Sequence, residues 1–237
     1  MDTATFKTRL LVLLDTHGME FDPAEKPLLH ADVAIHCGDL TDGSKLDELR
    51  TTINLFKDID EPWELAIASN RDFTLDDLAF QNKVDEVTPP LDPQLVEKEY
   101  DATGEVRRLW EGAKDVGIIL PDEGAHHSIL QNGAHLTLYA SPYSPSLDHG
   151  RNFAIQEGVD VVVTHRPPQG IMDYTHGRER AGCADLFTAV AQVRPRVHCF
   201  GHFHEGWRVR LVTWRDTRGA RPTHFTAIDN NRSHVIE

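Results

Sequence analysis

The chain has 237 residues, of which 40% are apolar and 26% charged, and its 38 acidic and 24 basic residues give a formal net charge of -14. This composition is typical of a globular protein and excludes fibrous and intrinsically disordered classes. The length predicts a single domain over residues 1–237. The negative charge disfavours a nucleic-acid polymer or an anionic membrane as a partner unless a local positive site compensates for it.

The cysteines and the N-terminal region bear on the cellular compartment. Cys37, Cys183 and Cys199 cannot all pair, and two of them lie in apolar, strand-like runs, so we expect reduced thiols. The apolar run from Leu10 to Leu14 is too short for a signal peptide or a membrane span. The sequence therefore predicts a cytoplasmic protein without membrane contacts.

Polar side chains follow three short apolar runs in the first third of the chain. These runs lack a helical period and predict strands of an α/β sheet, with the first two buried on both faces. The runs are Arg9–Leu14, Asp32–Cys37 and Pro62–Ala68. They end at Asp15-Thr16-His17, at Gly38-Asp39 and at Ser69-Asn70-Arg71. Each polar cluster alone fits a cap or a loop, but ligands of open α/β sheets bind at the carboxyl ends of strands, and three such ends favour a metal site.

Two further strands end in histidines. Val159–Thr164 is followed by His165, and Val197–Phe200 is followed by Gly201-His202-Phe203-His204. Alternate residues of extended backbone face the same side, so His202 and His204 are candidate ligands of a first-row metal.

Asn132-Gly133, between two alternating runs, predicts a β-hairpin.

The spacing of apolar residues predicts several helices. Ser44 is the expected N-cap of a helix through Lys57, and Thr74 that of a short helix. Gln94–Asp115 is expected to be one charged surface helix, and Asp148–Glu157 and Gly182–Val193 two more.

In order along the chain, these strand ends resemble the signature of the calcineurin-like metallophosphoesterases. That signature is D-x-H, G-D, G-N-H-[DE], a lone His and G-H-x-H, and the resemblance spans Asp15 to His204. Five segments are also similar to the MPPED group of small members of this superfamily: Asp15–His17, Phe73–Asp76, Thr164–Gly170, Ala181–Cys183 and Gly201–Gly206. Five blocks in the right order are far more specific than any one block.

The resemblance implies an α/β fold with four αββα layers, in which two mixed sheets stack between helices. It also implies two divalent cations with Asp39 as the bridging ligand. One cation would be bound by Asp15, His17, Asp39 and His204, and the other by Asp39, Asn70, His165 and His202. Mixed nitrogen and oxygen ligands suit Mn²⁺, our first expectation, as well as Fe or Zn²⁺. The implied reaction is hydrolysis of a small-molecule phosphoester by water activated between the two metals, and the oligomeric state stays open.

Arg71 departs from the family pattern. It stands where the signature has a histidine that protonates the leaving group. A guanidinium gives up no proton at neutral pH and cannot take that role, although it can bind phosphoryl oxygens. We predict that Arg71 and Asp39 are catalytic residues. Without the histidine, the reaction should depend more strongly on a leaving group that departs without a proton. The alternatives are that Arg71 points to solvent and His36 or His176 supplies the proton, that the protein binds metal with impaired or lost turnover, or that the metals act on a non-phosphate substrate. Arg166, where related proteins often have glycine, also changes the rim of the pocket.

Overall fold

The computed structural model describes residues 6–22, 24, 26–27, 29–101, 104–142, 153–206, 208–217 and 221–228. The strands within these ranges are β1 Leu10–Leu13, β2 Val33–His36, β3 Glu64–Ala66, β4 Ile118–Ile119, β5 Gly124–Ile129, β6 His135–Ser141, β7 Val161–Thr164, β8 Val197–Cys199, β9 Val209–Thr213 and β10 His224–Ile228. The α-helices are α1 Leu46–Ile59, α2 Asp77–Glu86, α3 Pro93–Val96, α4 Glu105–Lys114 and α5 Ala184–Val193. A 3-10 turn covers Phe73–Leu75, a π-helical turn covers Glu97–Asp101, and a second 3-10 turn covers His204–Gly206.

The first sheet aligns three of the predicted ligand loops. Its strand order is β1-β2-β3-β4 and every pair in it is parallel. Leu13 lies opposite His36, and His36 lies opposite Ala66. The carboxyl ends of β1, β2 and β3 therefore lie side by side at one edge.

The second sheet delivers the remaining histidines. Its order is β5-β6-β7-β8, with β5 antiparallel to β6 and the other pairs parallel. The predicted hairpin is confirmed, and Gly133 takes a positive φ of 88° in its turn. Val163 lies opposite Cys199, so the loops that follow β7 and β8 are neighbours.

Three apolar clusters define the four layers. Leu49 and Phe56 of α1 and Trp110 of α4 cover one face of the first sheet. Residues from both sheets fill the space between them, including Ile35, Leu65, Leu138 and Val163. Leu186 and Val190 of α5 pack on the outer face of the second sheet. The predicted αββα fold class is confirmed, with the refinement that the described part of the first sheet is entirely parallel.

Three local predictions were wrong at the level of single residues. Val12 is 38% exposed, because β1 is the edge strand of its sheet and is not buried on both faces. Ser44 does not cap α1; its hydroxyl lies 2.8 Å from the Thr74 hydroxyl and accepts the Thr74 N–H. Thr74 does not cap a helix either, because its hydroxyl is engaged with Ser44. The carboxylate of Asp76 caps α2 instead, by accepting the N–H of Ala79.

The helix predicted over Gln94–Asp115 was also wrong. The π-helical turn ends at Asp101, and α4 begins only after Gly104, whose φ of 71° lies in the left-handed region that favours glycine. Half of the helix predicted over Asp148–Glu157 lies outside the described residues, and residues 153–157 are not helical. The helix predicted over Gly182–Val193 is confirmed as α5, with Cys183 at its N-cap.

Cys37, Cys183 and Cys199 all lie in the described part of the chain and carry unpaired thiols, as the sequence predicted. None of the described helices combines the length and apolar character that a bilayer crossing requires.

Candidate metal centre

Backbone hydrogen bonds continue past the strand ends and hold the ligand loops together. The N–H of Asp15 donates to the carbonyl of Gly38 at 3.1 Å, and that of His17 donates to the carbonyl of Asp39 at 2.9 Å. In the second sheet, the N–H of Gly201 donates to the carbonyl of His165 at 2.9 Å. The loops are thus fixed to one another by main-chain contacts, whatever their side chains bind.

Four of the predicted ligands have left-handed backbone conformations. The φ angles of Asp15, His17 and Asp39 are 51° each, and that of His202 is 75°. Such angles are uncommon for residues other than glycine and cost free energy, so they persist where surrounding contacts enforce them. Here they turn the side chains of successive loops toward a common cleft.

The first group of possible ligands consists of His17, Asp39 and His204, whose ligand atoms all lie within 4.8 Å of one another. The Nε2 atoms of His17 and His204 are 3.2 Å apart. The His17 Nε2 also lies 3.9 Å from Oδ2 of Asp39. His204 is exposed, so this half of the centre opens to solvent.

The second group consists of Asp39, His165 and His202, and it lies deeper in the protein. His165 is fully buried, and its Nδ1 donates to the carbonyl of Cys37 at 2.9 Å. Because a carbonyl only accepts, the lone pair of His165 is on Nε2, which lies 3.1 Å from Nδ1 of His202 and 3.2 Å from Oδ1 of Asp39.

The carboxylate of Asp15 lies near histidines of both groups. Both of its carboxylate oxygens accept the N–H of His202 at 3.0 Å, and they lie 3.8 Å from ring nitrogens of His165 and His204. Burial raises the pKa of Asp15, while the hydrogen bond from His202 lowers it. The pKa of His202 is lowered to about 4, first by burial, then by His165, with Arg166 contributing in the same direction. The His202 imidazole is therefore neutral at pH 7, as a metal ligand must be.

Two glycines make room for these side chains. A Cβ on Gly201 would lie 2.8 Å from Oδ1 of Asp15, and a Cβ on Gly38 would lie 2.8 Å from Nδ1 of His165. Both separations are too short for a side chain, so glycine is required at each position for steric reasons.

Asn70 and Arg71, the predicted site residues after β3, lie in a more exposed position than the buried ligands Asp15, Asp39 and His165. Asn70 and Arg71 are exposed in the turn that follows Ser69. The Arg71 Nη1 donates to Oδ1 of Asp42 at 2.7 Å and to its carbonyl at 3.0 Å. The same Asp42 oxygen lies 3.9 Å from Nδ1 of His17, so Arg71 stands at the rim beside the first group.

Sequence reasoning missed Asp72 as the residue that organises this region. Its buried carboxylate accepts hydrogen bonds from the backbone N–H groups of Leu40, Thr41 and Ser69. It also accepts from the hydroxyls of Thr41 and Ser69. The Ser69 hydroxyl in turn contacts the carboxylate of Asp39 and accepts its N–H. The acidic residue at the end of the signature was visible in the sequence, but its five donors come from two loops and become neighbours only in the fold.

The donor set fits divalent cations. Two nitrogens bound to one ion at about 2.0–2.2 Å lie roughly 2.9–3.4 Å apart. The two histidine pairs, at 3.2 Å and 3.1 Å, fall within this range. Neutral imidazole and carboxylate ligands suit the first-row metals expected from the sequence, and the geometry does not distinguish among them.

The two alternative proton donors differ sharply. His36 is fully buried, its Nε2 contacts the hydroxyl of Thr16, and burial lowers its pKa to about 3, so it carries no extra proton at pH 7. That alternative was wrong. The His176 ring is 91% exposed, and its Nε2 lies 3.0 Å from the carboxylate of Glu205, the residue after His204.

Known proteins resemble the chain in sequence and in fold. No family model matches the chain. Metallophosphoesterase domain-containing protein 1 of Homo sapiens is 30% identical over 218 residues, which are 85% of this chain and 62% of that protein. The Mus musculus protein of the same name gives the same values. A UPF0046 protein of Caenorhabditis elegans is 29% identical over 208 residues, 81% of this chain and 50% of that protein.

The chain therefore spans about half to three fifths of the length of these relatives. A solved crystal structure matches with a TM-score of 0.52 and 12% identity over 86% of both chains, and at that identity it supports the fold alone.

Proposed function

Because the chain belongs to the metallophosphoesterase superfamily, in its MPPED-type group, we propose that it hydrolyses small-molecule phosphoesters at a centre of two divalent cations. One observation carries the proposal. The two carboxylate oxygens of Asp39 face different histidines, with Oδ1 at 3.2 Å from His165 and Oδ2 at 3.9 Å from His17. A carboxylate oriented in this way can bridge two ions.

The site residues divide into metal ligands and residues that position these ligands. We assign His17, Asp39 and His204 with Asp15 to one ion, and Asp39, His165 and His202 with Asn70 to the other. When bound, a pair of divalent cations supplies Lewis acidity, which polarises the phosphoryl group and lowers the pKa of water. The Nδ1–H of His165, held by Cys37, keeps its Nε2 available as a ligand, and Asp72 and Ser69 hold Asp39 in place.

Metal counting on the Asp39→Asn variant tests the bridge. We expect two Mn²⁺ ions per wild-type chain and hydrolysis of bis-p-nitrophenyl phosphate, and at least a tenfold loss of affinity for both ions in the variant, since ligand changes are this costly. Asp85→Asn, at an exposed position on α2, is the matched control and should behave as wild type. Two ions bound with unchanged affinity by Asp39→Asn would refute the bridging role.

A second candidate is a metal-binding protein without turnover, and the placement of Arg71 favours it. Arg71 replaces a proton donor and is paired with Asp42, so it offers no acid at neutral pH. Two bound metals without hydrolysis of an activated phosphoester at any pH would support this candidate over the enzyme.

A further inference from the structure

Arg166 stands next to the second ligand group and is held in a fixed position. It follows His165 directly, and its half-buried side chain donates from Nε to the carbonyl of Ala181 at 2.8 Å. Its own carbonyl accepts the hydroxyl of Thr164 at 2.8 Å, and the buried Pro167 and Pro168 follow. Side chain and main chain are therefore both anchored.

The charge of Arg166 is not neutralised by any carboxylate in the described part of the chain. Two other arginines are paired with carboxylates: Arg71 with Asp42 at 2.7 Å, and Arg180 with the buried Asp173 at 2.8 Å. Arg166 uses one donor on a neutral carbonyl, which leaves the two Nη groups of the guanidinium fork for another acceptor. In a chain with a net charge of -14, a half-buried guanidinium without an acidic partner favours an anionic ligand.

The local charge balance indicates which anion. Two divalent cations would carry four positive charges, two more than the negative charges of Asp15 and Asp39 neutralise. Arg166 adds a third excess positive charge beside His202. A dianionic phosphomonoester compensates this excess better than a monoanionic diester, because its Coulomb attraction to each fixed charge is doubled.

We infer that Arg166 binds a non-bridging phosphoryl oxygen of the substrate and makes the site prefer dianionic monoesters over monoanionic diesters. This inference rests on the proposed function and names its substrate class. It also moves the anion-binding role that the sequence suggested for Arg71 to Arg166, beside the second ligand group.

Binding of a non-hydrolysable pair of ligands tests the inference without turnover. Calorimetric titration of the Mn²⁺-loaded protein compares phenylphosphonate, at a pH where it is a dianion, with its monomethyl ester, a monoanion. We expect Arg166→Gln to weaken phenylphosphonate binding by roughly tenfold or more, the value of a lost charge-assisted hydrogen bond, and to weaken ester binding less. Equal losses for both ligands, or no loss, would overturn the inference.

Two further variants keep the test decisive. Arg178→Gln removes the same charge from an exposed position in the same loop and should leave both affinities unchanged. Arg166→Lys keeps the charge but loses the fork and the Nε contact with Ala181, so we expect a reduced preference for the dianion. This variant serves if Arg166→Gln does not fold, and wild-type affinities for both ligands in it would contradict the assigned contact.

Hydrolysis separates this inference from the proposed function. If the protein binds phenylphosphonate through Arg166 but cleaves neither p-nitrophenyl phosphate nor its diester, the proposed function fails and the anion site stands. If it cleaves both and Arg166→Gln leaves the ratio of their kcat/KM values unchanged, the enzyme stands and the inference fails.

Discussion

At the scale of single residues, Arg71 sets what the proposed phosphoesterase would demand of a leaving group. A phosphoester of an alkyl alcohol needs a proton on the departing oxygen, whereas an aryl ester such as p-nitrophenyl does not. Arg71 supplies none, and its Nη1 is engaged by Asp42. We therefore predict that wild-type protein cleaves aryl phosphoesters much faster than alkyl ones. We also predict that Arg71→His raises the alkyl rate by at least about tenfold, and at most by the roughly 10²–10⁴-fold that a positioned general acid contributes.

Steady-state rates for p-nitrophenyl and ethyl phosphate measure this effect. Arg71→Gln is the control, because it removes the charge without adding an acid and should not rescue the alkyl ester. Equal wild-type rates for both leaving groups, together with no gain in the histidine variant, would show that another residue donates the proton. His176, paired with Glu205, would then be the first to replace.

Gly201 has a steric role that a single methyl group can test. In Gly201→Ala the new Cβ would meet both carboxylate oxygens of Asp15, at 2.8 Å and 2.9 Å, and would displace the acceptor of the His202 N–H. We expect a loss of stability of about 1–3 kcal/mol from overpacking, and a Mn²⁺ affinity at least tenfold weaker. Urea unfolding and metal titration measure the two effects.

Gly112 is the matched control for this substitution. It lies in α4, a Cβ there would meet nothing within 4 Å, and alanine in a helix is favoured over glycine by roughly 1 kcal/mol. Gly112→Ala should therefore be neutral or stabilising. A similar result for Gly201→Ala would mean that the Asp15 loop relaxes without cost.

At the scale of secondary-structure elements, Asp72 joins the ends of β2 and β3. Five donors from Leu40, Thr41 and Ser69 converge on one buried carboxylate, and an asparagine of the same size can accept at only one of its two terminal atoms. We predict that Asp72→Asn lowers the free energy of unfolding by about 2–4 kcal/mol, because buried donors lose their acceptor. We also expect weaker metal binding, since Ser69 links Asp72 to Asp39.

Denaturant unfolding in a chelator separates these two effects. The metal-free measurement reports the loop contacts alone, and a second one with Mn²⁺ adds the contribution of the ligands. Asp77→Asn, at an exposed position in the first turn of α2, removes the same charge and should change stability by at most about 1 kcal/mol. If both variants unfold alike, Asp72 is not the link between the two loops.

The sequence predicted the elements whose signal is local and missed the contacts between them. Short apolar runs followed by Asp15, Asp39 and His165 predicted strands whose carboxyl ends lie at a common edge. This worked because a short apolar run is the main sequence signal of a buried strand. The cap at Ser44 was wrong because Thr74, 30 residues away, competes for its hydroxyl. The pairing of Arg71 with Asp42, and the lack of a carboxylate partner for Arg166 among the described residues, depend on the folded arrangement of loops, which no spacing rule encodes.

At the scale of the whole molecule, several buried titratable groups make stability vary with pH, among them His36, His198 and Glu64. Burial lowers the pKa values of His36 and His198 to about 3, so both favour unfolding as the pH falls below their unfolded value of 6.5. Glu64 acts in the opposite direction. Burial raises its pKa from 4.5 to about 7, with Asp60 and Glu61 adding to the rise. Metal-free protein should therefore lose stability on both sides of a narrow optimum.

Glu64→Gln isolates the alkaline side of this profile. A carboxyl whose folded pKa is raised contributes full stability below pH 4.5 and loses it as the pH rises through about 7, because the folded state then pays to ionise a buried group. The glutamine variant stays neutral, so we expect it to match wild type near pH 4.5 and to exceed it near pH 8 by at most about 3 kcal/mol. Urea unfolding across this range, with a chelator to exclude metal ligation, measures the difference. Glu111→Gln, at an exposed position on α4, should show no pH-dependent gain, and an equal gain in both variants would assign the effect to net charge and not to the burial of Glu64.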